Sequence, residues 1–387
     1  MGSVSSLRLL AVTGSRADFG LWLPVLEEAR RRGSAVDARL LVTAMHLDAR
    51  FGRTVEEVRR SGHMIAAEVP CTPEGDGRVE MAAAIGRAIV GMAPVIADRR
   101  PDWLLVLGDR GEQLAAAIAA LHAGVATAHL HGGEVTRGVV DDTVRDLVTR
   151  VANLHLVATE DAASRLEAMG EEPWRIHRVG APGLDQLRAA AAGDLAGLRG
   201  RYGLPAEGPY LVLVQHPETV GEERAERDLE ATLEAVRTVG LPALAVYPNA
   251  DAGGRAMIER LRRVDATLPA VASLPRGEFA TLLSGAAALV GNSSSGIIEA
   301  PLLGVPAVNV GRRQEGRTRG DNVIDVPAEP SAIADAIRRA TDSSFRATLS
   351  GTSPYGSGDA AARILDVLAG TPRDERLRAK RPAGSAG

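Results

Sequence analysis

The chain has 387 residues, enough for two domains of ordinary size. Its 45% hydrophobic content supports a sizeable core, while only 3% of residues are aromatic, so core volume falls to Leu, Val, Ile and Ala. A formal charge of −4 has the wrong sign for a nucleic-acid binder held by phosphate contacts, and the single cysteine, Cys71, excludes an internal disulfide framework. The only lysine, Lys380, falls in the charged run near the C-terminus, which excludes Schiff-base enzymes and a lysine-dependent phosphate loop.

No apolar run approaches the ~20 residues a bilayer requires, so no membrane contact is expected. Leu7–Thr13 is too short for a signal peptide and runs into charged sequence, and a reducing, cytoplasmic setting is expected. Met1-Gly2-Ser3-Val4-Ser5-Ser6 matches a myristoylation pattern, and so short a match is read as chance.

In chain order, Leu7–Thr13 reads as a buried strand, broken by Gly14-Ser15-Arg16-Ala17-Asp18-Phe19-Gly20. Pro24–Arg32 has helical spacing, and Ala38–Thr43, Trp103–Leu107, Val125–His129 and Leu154–Ala158 are further strands. A looser Ala/Gly/Arg stretch spans Ala189–Gly208, after which Tyr210–Val214, Pro242–Tyr247, Ala287–Gly291 and Ala307–Val310 resume the pattern. Strands alternating with helix formers predict α/β architecture: two Rossmann-like, doubly wound domains on parallel sheets. The expected division is 1–188, 189–370 with its last helix crossing back, and a flexible tail at 371–387. The glycine fingerprint of dinucleotide binding is absent after the first strand, so NAD is not indicated. Ligands of such sheets sit at the carboxyl ends of strands, and the candidate residues follow the strands directly.

Gly291-Asn292-Ser293-Ser294-Ser295-Gly296-Ile297-Ile298-Glu299 follows a strand and is expected to open a helix. Small hydroxyl residues between glycines expose N–H groups and hydroxyls to an anion there, more than plain N-capping needs. Glu299 would then accept ribose hydroxyls or complement the helix dipole. Gly311-Arg312-Arg313-Gln314-Glu315-Gly316-Arg317 places arginines where they reach a diphosphate or, equally, form a solvated basic loop. Arg16 and Arg110 are similar candidates in the first domain.

Acid–base candidates gather there as well: Asp109, then His129-Leu130-His131-Gly132-Gly133-Glu134, then Asp141-Asp142. In an extended segment His129 and His131 face one side, but no third ligand stands at convincing spacing, so proton chemistry ranks above a metal site. Gln215-His216-Pro217 adds a titratable histidine after a strand of the second domain.

Together these motifs resemble the UDP-N-acetylglucosamine 2-epimerase family, in particular its hydrolysing, N-acetylmannosamine-releasing branch. They are Gly14–Gly20, Gly108-Asp109-Arg110, His129–Glu134, Gln215-His216-Pro217, Tyr247-Pro248-Asn249-Ala250-Asp251, Gly291–Glu299 and Gly311-Arg312-Arg313-Gln314, in the family's order. The resemblance implies a GT-B-like arrangement with the site in the interdomain cleft, a UDP-sugar substrate, no cofactor, no metal, and a homodimer or homotetramer. It implies elimination of UDP to a glycal, then hydration. Asp109, Asp141 and His216 match acid–base positions; His131 stands where several members carry a glutamate that does proton work, and either Glu134 or His131 takes that role. Arg16, Ser293, Ser294, Glu299 and Arg313 match nucleotide contacts and His46 and Arg110 substrate contacts, and Asn292, Ser295 and His129 are counted with them as substrate-binding candidates. Leu21 and Asp146 depart from the family's usual lysine and histidine. The competing readings are a GT-B glycosyltransferase and a non-catalytic nucleotide-sugar binder.

Overall fold

The computed structural model describes residues 6–381 except 76, 136–139, 219–221, 249–253 and 265–267, and not the side chains of 222–224. Met1–Ser5 of the myristoylation match, Asn249–Asp251 of one motif and the tail beyond 381 lie outside the described residues. The chain divides into two compact units, one running to Asp185 and resuming at Gly358, the other Gln186–Ser357.

The first unit alternates strands and helices: β1 (Leu7–Thr13), α1 (Arg16–Arg31), β2 (Val36–Thr43), α2 (Val55–Arg60), β3 (Ile65–Val69), α3 (Arg78–Arg99), β4 (Trp103–Leu107) and α4 (Gly111–Ala123). It continues with β5 (Thr127–Leu130), α5 (Asp141–Val151), β6 (Leu154–Val157), α6 (Glu160–Ala168) and β7 (Ile176–Arg178). All seven strands are parallel in the order β3-β2-β1-β4-β5-β6-β7. The apolar runs of β4, β5 and β6 are wholly buried because helices cover both faces of a parallel sheet.

The second unit carries α7 (Leu187–Ala190), α8 (Leu195–Arg201), β8 (Leu211–Val214), α9 (Glu222–Val239), β9 (Ala243–Val246), α10 (Gly254–Arg262), β10 (Ala270–Val271) and α11 (Arg276–Ser284). Then come β11 (Ala288–Gly291), α12 (Ser295–Ile298), β12 (Ala307–Val310), β13 (Val323–Val326), α13 (Pro330–Thr341) and α14 (Ser343–Ala347). Its six parallel strands run β10-β9-β8-β11-β12-β13. In each sheet the winding direction reverses once, between β1 and β4 and between β8 and β11. Those are the switch points where loops part and a ligand enters.

Three expectations need correction. Helix α1 begins at Arg16, not Pro24, because Ser15 and Asp18 form a reciprocal capping box. The second domain ends at Ser357 rather than 370: the chain crosses back at Gly358, and α15 (Ala360–Gly370) packs on α1 in the first unit, as the crossing-back helix was expected to. Residues 371–381 are not a loose tail: Asp374 caps the turn α16 (Glu375–Arg378) and Leu377 is fully buried. In addition, α3 is long and apolar enough to cross a membrane, which the search for unbroken apolar runs passed over. Val79, Met81 and Val90 stand exposed on it.

Candidate active site

The first unit's switch point is flanked by the loops after β1 and β4. Gly14 follows β1, and a side chain there would meet the Glu112 carboxylate, which would have to move aside. Asp18 Oδ2 accepts from the Gly14 and Ser15 N–H groups at 3.0 and 3.1 Å and fixes the loop. Arg110 precedes α4, donates from Nε to Glu112 at 3.0 Å and reaches the Met45 sulfur at 3.0 Å. Burial raises the Glu112 pKa, with Arg110 opposing. Glu112 was not among the sequence candidates, although an acid in the first helical turn after a strand was the signal available.

His46, expected to contact substrate, is fully buried instead. Nε2 lies 3.0 Å from the Thr13 hydroxyl and Nδ1 2.7 Å from that of Thr54, while burial lowers its pKa. It ties β1 to the segment before α2. Arg16 remains exposed, bonded through Nε to Glu57 at 2.9 Å.

The acid–base cluster lies after β4 and β5 and is organised by a residue the sequence reading passed over, Arg145. Its buried guanidinium donates to Asp109, to Asp142 at 2.6 Å and to the Glu134 carbonyl at 2.6 Å. Its place on α5, three residues after Asp142, was the available sign. Asp141 starts the same helix; burial and the charge of Asp109 raise its pKa. His131 Nδ1 lies 2.6 Å from Glu134 Oε1 in an i,i+3 pair. The His131 backbone is left-handed at φ 63°, so alternation along β5 does not carry it to the side of His129.

His129 is a second correction. It is fully buried, with Nε2 2.8 Å from the Gly108 carbonyl and Nδ1 3.1 Å from the Thr149 hydroxyl. Burial lowers its pKa to about 3, leaving a neutral imidazole with both nitrogens occupied. It can bind neither substrate nor metal while those bonds stand; it joins α5 to the loop carrying Asp109.

In the second unit Gly291 has φ 126°, and a Cβ would lie 2.2 Å from the Val214 carbonyl, so β8 and β11 meet closely at their ends. Asn292 clamps them: Oδ1 accepts from the His216 N–H at 2.7 Å, and Nδ2 donates to its carbonyl at 2.9 Å. Its amide is thereby spent on backbone rather than offered to a nucleotide, correcting that expectation. The Asn292 carbonyl accepts from Arg313 Nη1 at 3.2 Å and Gln314 Nε2 at 2.7 Å, which brings Arg313 beside the serines.

Ser293 accepts from the Ser295 N–H at 3.3 Å, and the Ser294 side chain makes no capping bond. The helix expected after them is a single turn, because Pro301 turns the chain into a 3₁₀ segment, so little dipole stands behind Ser293–Ser295. Burial raises the Glu299 pKa, partly offset by its bond to Ser295. Glu218, also unforeseen, accepts from the Arg312 and Arg313 N–H groups at 2.8 and 3.1 Å, so Arg313 can offer a ligand only its guanidinium.

One unit thus presents carboxylates, imidazole and arginine at its switch point, the other hydroxyls and arginine. This defines an α/β protein of two Rossmann-like units, each wound on a parallel sheet. The family described as UDP-N-acetylglucosamine 2-epimerase matches residues 28–369, and the chain belongs to that family. A UDP-N,N'-diacetylbacillosamine 2-epimerase (hydrolyzing) from Legionella pneumophila is 35% identical over 96% of this chain and 97% of its own. A UDP-N-acetylglucosamine 2-epimerase from Neisseria meningitidis is 34% identical over 86% and 87%. Among solved structures, the UDP-GlcNAc 2-epimerase from Neisseria meningitidis bound to UDP-GlcNAc superposes with TM-score 0.78 at 17% identity, covering 94% of this chain and 100% of that one. The family read from the motifs is borne out.

Proposed function

We propose that the protein is a hydrolysing 2-epimerase that converts a UDP-linked N-acetylated aminosugar and water into UDP and the free 2-epimer. UDP-N-acetylglucosamine, giving N-acetylmannosamine, is the first substrate to test. The observation that carries the reading is the Arg145-centred cluster of Asp109, Asp142 and the Glu134 backbone beside the His131–Glu134 pair, in a member of this family. Proton removal on one face of a sugar ring and return on the other requires two such groups.

In the proposed sequence Asp109, held by Arg145, takes the C2 proton as the C1–O bond breaks and its electron pair leaves with UDP. The C2–H pair becomes the C1=C2 bond of a glycal. Water then adds at C1, its proton going to the site, while C2 is protonated from the opposite face. Asp141, whose raised pKa suits a donor, and the His131–Glu134 pair are the groups for that step. In the second unit Ser293, Ser294 and Arg313 are proposed to hold the diphosphate, with Glu299 on the ribose and His216 as a further acid–base group. The diacetylated bacillosamine nucleotide is a second reading, favoured by the 35% identical relative.

Incubation with each UDP-sugar in deuterated water, without acceptor, tests this. UDP and a free 2-epimer bearing deuterium at C2 are expected. A product still joined to UDP would place the chain in the non-hydrolysing branch, and binding without turnover would make it a sensor. We further propose a cytoplasmic self-associating protein, its contact the exposed α3 stripe that includes Val79 and Val90. Sedimentation should show a dimer or tetramer, reduced to monomer by Val90→Glu.

A further inference from the structure

The C-terminal segment is built into the first unit more tightly than its charged sequence suggests. Lys380 is the only lysine among 45 basic residues. Its Nζ donates to the carbonyls of Thr149, Arg150 and Ala152 at 2.7, 3.0 and 2.9 Å and lies 2.7 Å from the buried Glu171 carboxylate. The first two carbonyls belong to the last turn of α5, where orphan acceptors and the negative end of the dipole favour a cation. A compact ammonium with rotatable donors fits such a convergent set, whereas a planar guanidinium does not. Burial lowers the Lys380 pKa to about 8, Glu171 opposing.

The segment before Lys380 is fastened separately. Arg175 donates to the carbonyls of Leu377 at 2.8 Å and Arg376 at 2.9 Å, and Asn153 to that of Leu377 at 3.2 Å. The Arg175 and Arg376 guanidinium groups both lie over the Trp174 ring, 4.2 and 4.3 Å from its centroid. Helix α5, gripped here at its C-terminal end, carries Asp141, Asp142 and Arg145 at the other. One of the capped residues, Thr149, also meets His129, which reaches the Gly108 carbonyl next to Asp109.

We infer that Lys380 is a positioning residue: by clamping the C-terminal end of α5 it sets where Arg145 and, through Thr149 and His129, Asp109 stand for proton transfer. The inference rests on the function proposed above only for its kinetic readout.

Full-length Lys380→Met, which keeps the stem and removes the charge, and Lys380→Arg, which keeps the charge, test it. Active protein is counted by UDP-binding stoichiometry, since the UDP contacts belong to the other unit. Lys380→Met should lose about 10-fold in kcat with KM and UDP affinity within about twofold, the size of coupling carried through packed networks. Amides of Asp142–Asp146 should exchange with solvent at least about 10-fold faster, again the scale of such coupling. Lys380→Arg should recover part of both losses. A role in stability alone would lower the unfolding midpoint while leaving kcat per UDP site untouched.

Wild-type kcat and wild-type exchange at Asp142–Asp146 in Lys380→Met would overturn the inference. If the wild type turns over no UDP-sugar, the proposed function fails by itself, and the exchange comparison still decides this one. If Lys380→Met does not fold, ¹⁵N-lysine labelling of the wild type gives a single Nζ signal. Titration near 8 with slow proton exchange supports the clamp, and free-lysine behaviour overturns it.

Discussion

The two units share a topology and differ in what their switch points present. Both place two loops side by side at the carboxyl ends of parallel strands, β1 beside β4 and β8 beside β11. In the first unit those loops and their neighbour after β5 are held by charge, with the buried Arg145 guanidinium reaching Asp109 and Asp142. In the second they are held by neutral amide–backbone bonds from Asn292, leaving small hydroxyls and one arginine toward a ligand. The same frame thus yields a site suited to moving protons and a site suited to gripping an anion. Loop chemistry, not topology, distinguishes them.

The division is broken most severely at Asp109. Asp109→Asn should cut turnover about 10²- to 10⁴-fold, the usual worth of a positioned acid–base group, while calorimetry shows unchanged UDP affinity. Full activity in that variant, or a product with protium at C2 formed in deuterated water, would remove the elimination mechanism. Next in size is Arg145→Met. It strands the carboxylates of Asp109 and Asp142 around an apolar side chain, so stability should fall by about 3–5 kcal/mol in urea unfolding and activity with it. A shift under about 1 kcal/mol would mean that solvent already screens the cluster.

The sequence made the middle of each sheet legible and hid its rims. β1, β4 and β12 have the bounds expected from their apolar runs, and β2, β5, β6, β8, β9 and β11 differ only at their ends. The four strands passed over, β3, β7, β10 and β13, are the four edge strands. Edges are half solvated and short, so they carry no continuous apolar run to read. In the site, motif residues were found because glycines and acids after strands are conspicuous. The misplaced ones, His46, His129 and Asn292, are polar side chains whose partners come from distant segments: Thr13, Thr149 and the His216 backbone. Burial of that kind leaves no local pattern. Arg145 was hidden for a related reason, as one arginine among many on a charged helix.

Acid sharpens the contrast, because buried neutral histidines concentrate in the first unit. Burial lowers the pKa of His129 to about 3, and those of His46 and His155 downward as well. For His129 the unfolded chain takes up the proton near pH 6.5 and the folded chain only near 3, so its stabilisation is complete above 6.5 and is lost as pH falls toward 3; His46 and His155 act in the same direction. For His129 alone the loss between pH 6.5 and 4 is about 3 kcal/mol. Denaturation of the wild type should steepen over that interval, and His129→Gln should flatten it; identical pH profiles would count against a neutral His129. In the second unit, Ser294→Ala and Arg313→Ala should each weaken UDP binding by about 1–3 kcal/mol, the range for a lost bond to a charged group. Calorimetry reads this directly, and unchanged affinity in both would remove the diphosphate assignment.

The smallest effect falls on Arg16, the most exposed of the first unit's candidate arginines. Arg16 and Glu57 pair with 70% and 40% of their side chains exposed, so water competes for both and side-chain entropy offsets the attraction. Glu57→Ala should therefore change stability by less than about 0.5 kcal/mol, against the several predicted for the buried Arg145 network. If Arg16 serves the substrate, Glu57 competes with it for the same guanidinium. Removing that competitor should lower KM for the UDP-sugar by about twofold to fivefold at low salt and leave kcat alone, with the gain fading as salt screens the charge. The double variant Arg16→Ala/Glu57→Ala should then match Arg16→Ala in KM. A KM that rises in Glu57→Ala would show instead that the pair is needed intact to orient Arg16, and would place that loop among the charge-held parts of the first unit.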